Sequence, residues 1–583
     1  MAKRKRRSKS HPAGAAPGSV ARSARGTLRS YAVGALPILN HILEQMRLEE
    51  FLQAYLPRQD RRVKLPPAKV LLVLVRNFLV SREPIYGIGE WAARYGPDLL
   101  GLRPEDVPRL NDDRGGRSLD GLFAADMASL SLALVTHVVR RFSVGLDELH
   151  NDSTTVTFYG AYVQAATEKR SLGHPTLAIT FGHNKDHRPD LKQLLYILTV
   201  SQDGGVPVHF RAESGNTTDD QTHRDTWELL CKLSGRRDFL YVADCKLATR
   251  DNMGYVHQHG GRFITVLPRT RGEDAAFRQR LRAGQVRWRP LWDKTDEHGQ
   301  RLDRFSICEE PAVTTEGYRL VWYHSTRKAE LDAVARACQI ERTLQRLGQL
   351  RQKLTSPRTR YRQAEKVQRA VDKILQACGA ADFVRVQIIP QRQERFRQAK
   401  PGRPGPTTRY VKSVRTRFDL SYEIDVARMA EESVADGVFP LVTNVAELSE
   451  LELLHAYKRQ PTIEKRFSQL KTDFAVAPVY LKEVRRIEAL LCVYFFALLA
   501  EALLERELRQ AMQREGIQAL PMYPEGRPCR WPTARRVIEL FEDVQRHELH
   551  SRTGRPTVMV TQRTPLQRKI LKLLGLSPET YGH

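Results

Sequence analysis

Apolar residues recur at helical spacing through the first part of the chain. LPILNHILEQMRLEEFLQAYL (36–56) has the three-and-four stepping of an amphipathic helix, and PPAKVLLVLVRNFLV (66–80) opens on prolines suited to a first turn. Turn-forming stretches such as SREPIYG and LRPEDVPRLNDDRGGRS separate these helices. From about residue 145 the pattern changes to short runs rich in Val, Ile, Thr, Tyr and Phe: DELHNDSTTVTFYG, KQLLYILTVS and VPVHFRAES. A helix, TDDQTHRDTWELLCKLS, follows with Thr218 or Asp219 as its N-cap, and then strand DFLYVADC, helix LATRDNMGYVHQHG and strand RFITVLP. Three strands, helix, strand, helix, strand is the front half of a mixed sheet with helices on its faces.

Beyond residue 268 the spacing predicts strands at YRLVWYHS and FVRVQIIP, a long charged helix over about 327 to 376, and an exposed loop at KPGRPGPTTRY. Helices resume from 446. The expected organisation is a basic tail (1–30), a helical region (31–140), an α/β region (141–268), a basic α+β insertion (269–445), a resumed helical segment (446–514) and a C-terminal helical region (515–583). The helical region at 31–140 reads equally as a DNA-reading module and as a structural cap. No repeat of 20 to 50 residues is visible.

Composition sharpens this picture through charge. The 583 residues carry 94 Lys+Arg against 67 Asp+Glu, a net +27. Residues 1–43 hold nine Lys/Arg and no acid, and residues 341–418 hold twenty Lys/Arg and five acids, so two stretches carry +24 of the +27. Localised positive charge of this kind favours a polyanionic partner, with nucleic acid the default. Seven scattered cysteines without CxxC spacing argue against a disulfide framework or a zinc ribbon and for a reducing compartment. The basic N-terminus has no apolar stretch behind it to act as a secretory signal. The run 489–500 is shorter than the roughly 20 residues a bilayer needs, so it reads as a buried helix and no membrane partner is expected.

Phosphodiester chemistry commonly uses two divalent cations about 3.5 to 4 Å apart. Magnesium and similar hard ions take carboxylate oxygens, which distant parts of a chain can supply. Asp152 lies in a Thr-rich strand and Asp244 ends an apolar one. Each alone is as well explained by structural pairing or capping. In HAYKRQPTIEKRFSQLKTDF (455–474), Tyr457, Gln460, Glu464, Phe467 and Lys471 step by three and four along one helical stripe, with Lys458, Arg459, Lys465 and Arg466 around it. A lone acid among bases is also an ordinary i,i+4 surface partner.

Taken in order, the strand Asp in an Asp-Ser-Thr context, the second Asp ending a later strand, and Tyr-x2-[Arg/Gln]-x3-Glu-x6-Lys resemble the DDE transposases of bacterial insertion sequences. The resemblance is to the cut-and-paste group with a β-rich insertion before the final Glu. LPILNHIL, LNDDRGGRSLD, GHNKDHRPDLKQLLY, GNTTDDQT and FAVAPVYLKEVRRIEALLCVYFFALL resemble it too, discontinuously over about 33 to 510.

The resemblance implies an RNase H-like α/β fold with the first Asp on its first strand, the second on its fourth, and the Glu on a helix beyond the insertion. Asp152, Asp244 and Glu464 are then expected to be catalytic and to hold two Mg²⁺ or Mn²⁺ ions, with Tyr457, Gln460 and Lys471 auxiliary. Lys458, Arg459, Lys465 and Arg466 are expected on DNA. The implied partners are the terminal inverted repeats and target DNA, with a homodimer holding two ends in the cytoplasm at the nucleoid. Trp292 or Trp322 is a candidate for stacking on a flipped base, although core packing explains either one as simply.

Two departures stand out. Gln460 occupies a position usually held by Arg, which leaves Arg459 to supply any cation there, and Pro461 predicts that the Glu464 helix starts or kinks at that residue. Asp186 and Asp190, in HNKDHRPD, read as turn and capping residues. A non-catalytic DNA-binding protein and an RNase H-like nuclease that does not join strands remain open.

Overall fold

The computed structural model describes residues 27–58, 62–160, 162–296, 298–356, 358–474, 476, 481–550 and 556–581; most of the basic tail lies outside them. The chain forms two compact units, one of residues up to Phe263 together with those from Ala456 onward, and the other Ile264–His455. Both are mixtures of helix and sheet.

In the first unit the strands Glu148–Phe158, Lys192–Ser201, Pro207–Ser214 and Leu240–Ala243 form a mixed sheet. Glu148–Phe158 pairs antiparallel with Lys192–Ser201, which pairs antiparallel with Pro207–Ser214. Its other edge pairs parallel with Leu240–Ala243. In order of appearance the sheet therefore runs third, second, first, fourth. Helix His223–Ser234 makes the crossover into the fourth strand, as a parallel pair requires. The apolar runs legible in the sequence are the strand interiors: from Gln193 to Ser201 every residue of the second strand is buried.

Helix Val484–Arg514 is the spine of this unit, buried almost continuously from Ile487 to Leu508. It packs on helices Pro67–Val80 and Asp112–Ala124 and on strand Pro207–Ser214. By length and composition it could cross a membrane, but its apolar stretch is covered by protein. The neighbouring helices begin with real caps: Asn111 accepts from the Arg114 amide at 2.8 Å, and Asp126 from that of Ser129 at 3.0 Å.

The two ends of the chain differ from the sequence reading. Thr27–Ala32, partly inside the expected tail, is a strand paired antiparallel with Gln545–His550, which pairs in turn with Thr557–Val560. The C-terminal region is thus not wholly helical. These strands are only four to six residues long, too short to show the alternation that marks a strand in sequence.

The second unit has an antiparallel sheet that begins with Ile264, Thr265 and Val266 and continues in the order Val438–Thr443, Arg319–Ser325, Arg301–Cys308, Trp288–Thr295. Trp322 is buried and stacked on Phe277 at 3.8 Å, and Trp292 stacks on Phe305. Both tryptophans are packing residues. The expected single long helix is two, Thr326–Thr355 and Ala364–Cys378. Ser356, which precedes Pro357, is extended because the proline ring disfavours helical backbone in the residue before it. These helices share a second core with a long hairpin, Val384–Gln398 and Tyr410–Ile424, through Leu347, Leu350, Val367, Val371, Val384, Phe418 and Leu420.

Candidate active site

Asp152 lies inside the first strand of the mixed sheet, and Asp244 follows the last residue of the fourth. The parallel register ends at Asn151↔Ala243, so the two aspartates occupy the next step on adjacent strands. Both aspartates have raised pKa values, and burial is the largest cause for each. Burial lifts Asp152 above the usual carboxylate range, Lys185 opposes this and Asp244 adds to it; burial likewise lifts Asp244, with Asp219 adding. Crowded, partly desolvated carboxylates are groups that call for a cation.

That cation is a lysine. Lys185 Nζ donates to Asp152 Oδ1 at 3.2 Å and to the Ser153 carbonyl at 2.8 Å, and pairs with Asp219 Oδ2 at 3.0 Å. Burial pulls its pKa down, but Asp152, Asp219 and Asp244 together hold it above the ordinary lysine value. Ser153 Oγ donates to Asp219 Oδ1 at 2.7 Å. The sequence did not mark Lys185, and it marked Asp219 only as a candidate helix cap. The helix expected to be capped at Thr218 or Asp219 starts instead at His223, after a short 3-10 turn at Asp219–Gln221. Asp219 is therefore free of any capping role at that helix and joins the carboxylate cluster.

Glu464 sits exposed on helix Pro461–Ser468, which packs on the first and second strands. The chain does break at Pro461: Tyr457 lies in the last turn of helix Glu450–Lys458, Glu464 lies on the next helix, and Lys471 lies on a π-turn at Gln469–Asp473. The single stripe is thus spread over three segments. Tyr457 still ties it to the aspartates: burial pushes its phenol up to about 12, and Asp244, Glu464, Cys245 and Asp152 push it the same way. One phenol feels all three expected catalytic acids.

The surrounding cations have different partners. Arg459 grips Glu148, with Nε to Oε1 at 2.6 Å; His150 links Glu148 at 2.7 Å to Gln460 at 3.3 Å. Arg459 therefore does not replace the missing cation at Gln460. Arg466 is 1% exposed and bonded to Glu505 at 3.0 Å and to the Gly205 carbonyl at 2.8 Å; Lys465 also binds Glu505, at 2.8 Å. These two hold the helix to the spine, and the expectation that Arg466 contacts DNA is corrected by its burial. Lys471 Nζ lies 2.5 Å from Asp186 Oδ1, which gives Asp186 a partner beyond its turn, while Asp190 pairs with Arg188. Lys458 is exposed.

The donors are all hard oxygens, the set that suits magnesium or manganese, and the Lys185 ammonium stands among them as a cation would. Among the described residues, no three of His, Cys, Asp and Glu are close enough to ligate one ion as they stand. Asp152, Asp244 and Glu464 do not form such a set as they stand, and Lys185 Nζ occupies the position beside Asp152.

A mixed sheet that sets an aspartate inside one strand beside an aspartate just past the end of its parallel neighbour, with a glutamate exposed on a helix packed on that sheet, is what the fold and site define. Residues 28–136, the helical region, match a family model described as a domain of unknown function, DUF4277. No curated protein matches the chain. Among solved structures the chain is similar to a piggyBac transposase in a synaptic complex with hairpin DNA, at 10% identity and a TM-score of 0.25 over 50% of this chain. The match spans 59% of that protein's chain.

Proposed function

We propose that this chain is a transposase: a metal-dependent enzyme that cuts DNA at the ends of a mobile element and joins the freed ends to target DNA. The observation that carries the proposal is the meeting of Asp152 and Asp244 on adjacent parallel strands, with Glu464 electrostatically linked to them through Tyr457. The strand order third, second, first, fourth supports an RNase H-like reading, since the first and fourth strands there bring the two aspartates together.

In this reading Asp152, Asp244 and Glu464 hold two Mg²⁺ or Mn²⁺ ions, which when bound supply charge stabilisation at the attacking and leaving oxygens. Bound cations would favour the ionised forms of Asp152 and Asp244 against the burial that raises their pKa values. Lys185 would leave Asp152 and keep Asp219 or take a DNA phosphate. Lys471 exchanges Asp186 for a phosphate, and the Tyr457 phenol, protonated at neutral pH, donates a hydrogen bond near the scissile strand. A homodimer would hold the two ends together.

One feature favours a second reading. Lys185 already neutralises the cluster without a metal, as suits a DNA-binding protein that no longer cuts. A strand-transfer assay with Mg²⁺ on a labelled duplex bearing the repeats that flank the protein's own gene separates the readings. Cleavage with joining is expected. Cleavage alone points to a nuclease, and binding without cleavage to the non-catalytic protein; either overturns the transposase.

A further inference from the structure

The hairpin Val384–Gln398/Tyr410–Ile424 pairs in unbroken antiparallel register over its whole length. Its base is anchored by Val384, Phe418 and Leu420 in the core it shares with the two long helices. From Ile389 to Arg397, and from Tyr410 to Thr416, every residue is exposed. Two strands of this length have little to hold them in water unless a partner covers them.

Directly paired residues share a face, and faces alternate along each strand. The register therefore sorts the distal ribbon into two surfaces. One carries Arg392, Glu394, Phe396, Lys412 and Val414, with Lys412 paired to Glu394. The other is built from the pairs Gln391↔Arg417, Gln393↔Arg415, Arg395↔Ser413 and Arg397↔Val411. This second surface has four arginines, two glutamines and no carboxylate. Arg417, nearest the base, bonds to the Thr355 carbonyl at 3.1 Å. The side chains of Arg395, Arg397 and Arg415 make no hydrogen bond or ion pair among the described residues. The connecting turn adds Lys400, Arg403 and Arg409 without an acid.

We infer that this Arg/Gln face is a reader of base edges, laid in the major groove of duplex DNA. A two-stranded ribbon fits a groove about 12 Å wide. Arg makes paired bonds to guanine O6 and N7, and Gln to adenine N6 and N7; these are the two side chains the face repeats. Phosphate clamping alone would be served by lysine at any spacing, whereas planar forks held in register offer geometry as well as charge. The inference rests on the proposal that DNA is the partner. It goes beyond that proposal in assigning sequence reading to the ribbon, whereas from the sequence the helical region at 31–140 was the candidate DNA-reading module.

The test is selection by the full chain, without divalent metal, from a pool of randomised duplexes. It compares wild type with Arg395→Ala/Arg397→Ala/Arg415→Ala and with the corresponding triple Lys variant. The substituted side chains are exposed, and unchanged thermal unfolding confirms an intact fold. Wild type should enrich a motif whose guanine N7 methylation blocks binding. Both variants should lose preference at consecutive base pairs in it by about tenfold or more, while the Lys variant keeps its affinity for unselected DNA. A motif unchanged in both variants, with weaker and less salt-dependent binding in the Ala variant, would make the ribbon a phosphate clamp and overturn the inference. No duplex binding by wild type overturns the DNA reading as well. Ribbon-dependent selection without cleavage leaves the inference standing and sinks only the enzyme.

Discussion

Lys185 decides how the candidate site behaves when no metal is present. Its ammonium bridges Asp152 and Asp219, so removing it leaves a partly buried cluster of acids with no counter-charge. Lys185→Met should therefore lower the thermal midpoint, and added Mg²⁺ should restore it by a larger shift than wild type shows, because a ligand stabilises in proportion to its binding to the folded state. Equal Mg²⁺ shifts in the two proteins would separate Lys185 from the cation position. Asp152 and Asp244 were legible because each carboxylate interrupts or ends an apolar strand. Asp219 and Lys185 were not: one stands in a TDDQT run that looks like a helix cap, the other in a turn. Both are brought to Asp152 only by the folded loops, and pattern along a chain does not reveal such contacts. Charge alone also misled at Arg466, whose setting among Lys465, Arg459 and Lys458 looks like a DNA-facing surface although its guanidinium is buried against Glu505.

Among the elements, the spine helix Val484–Arg514 carries the clearest pH signature. Burial pushes Glu488 up to about 7, partly opposed by the Leu177 amide that donates to its Oε1 at 2.8 Å. A carboxyl with a raised folded pKa binds its proton more tightly folded than unfolded, so the fold loses stability as pH rises from the unfolded value through about 7. Glu488→Gln keeps the acceptor and removes the titration. It should be more stable than wild type at pH 8, by up to about 3 kcal/mol, with little gain at pH 5. Thermal unfolding at the two pH values measures this, and an equal gain at both would refute the protonation account. The helix break at Pro461 was legible because a proline sets it; the one after Thr355 was not, since 327 to 376 read as a single charged helix despite its proline. The paired end strands Thr27–Ala32 and Gln545–His550 were not, since their stability comes from pairing across the whole length of the chain.

At the scale of the whole molecule, charge and chemistry are assigned to different parts. The first unit holds the expected catalytic acids, and the second holds the basic ribbon. The central claim concerns the acids. Its most direct measurement places wild type, Asp152→Asn, Asp244→Asn and Glu464→Gln side by side with a labelled duplex carrying the flanking repeats. Each sample contains Mg²⁺ or Mn²⁺ and is scored for complex formation and for strand cleavage. All four proteins should bind the duplex, and only wild type should cut it, each substitution lowering the rate by about a thousandfold or more as several kcal/mol of charge stabilisation are lost. Cleavage by any of the three variants at a rate near that of wild type, or cutting that persists in wild type after the metal is chelated, would contradict the account.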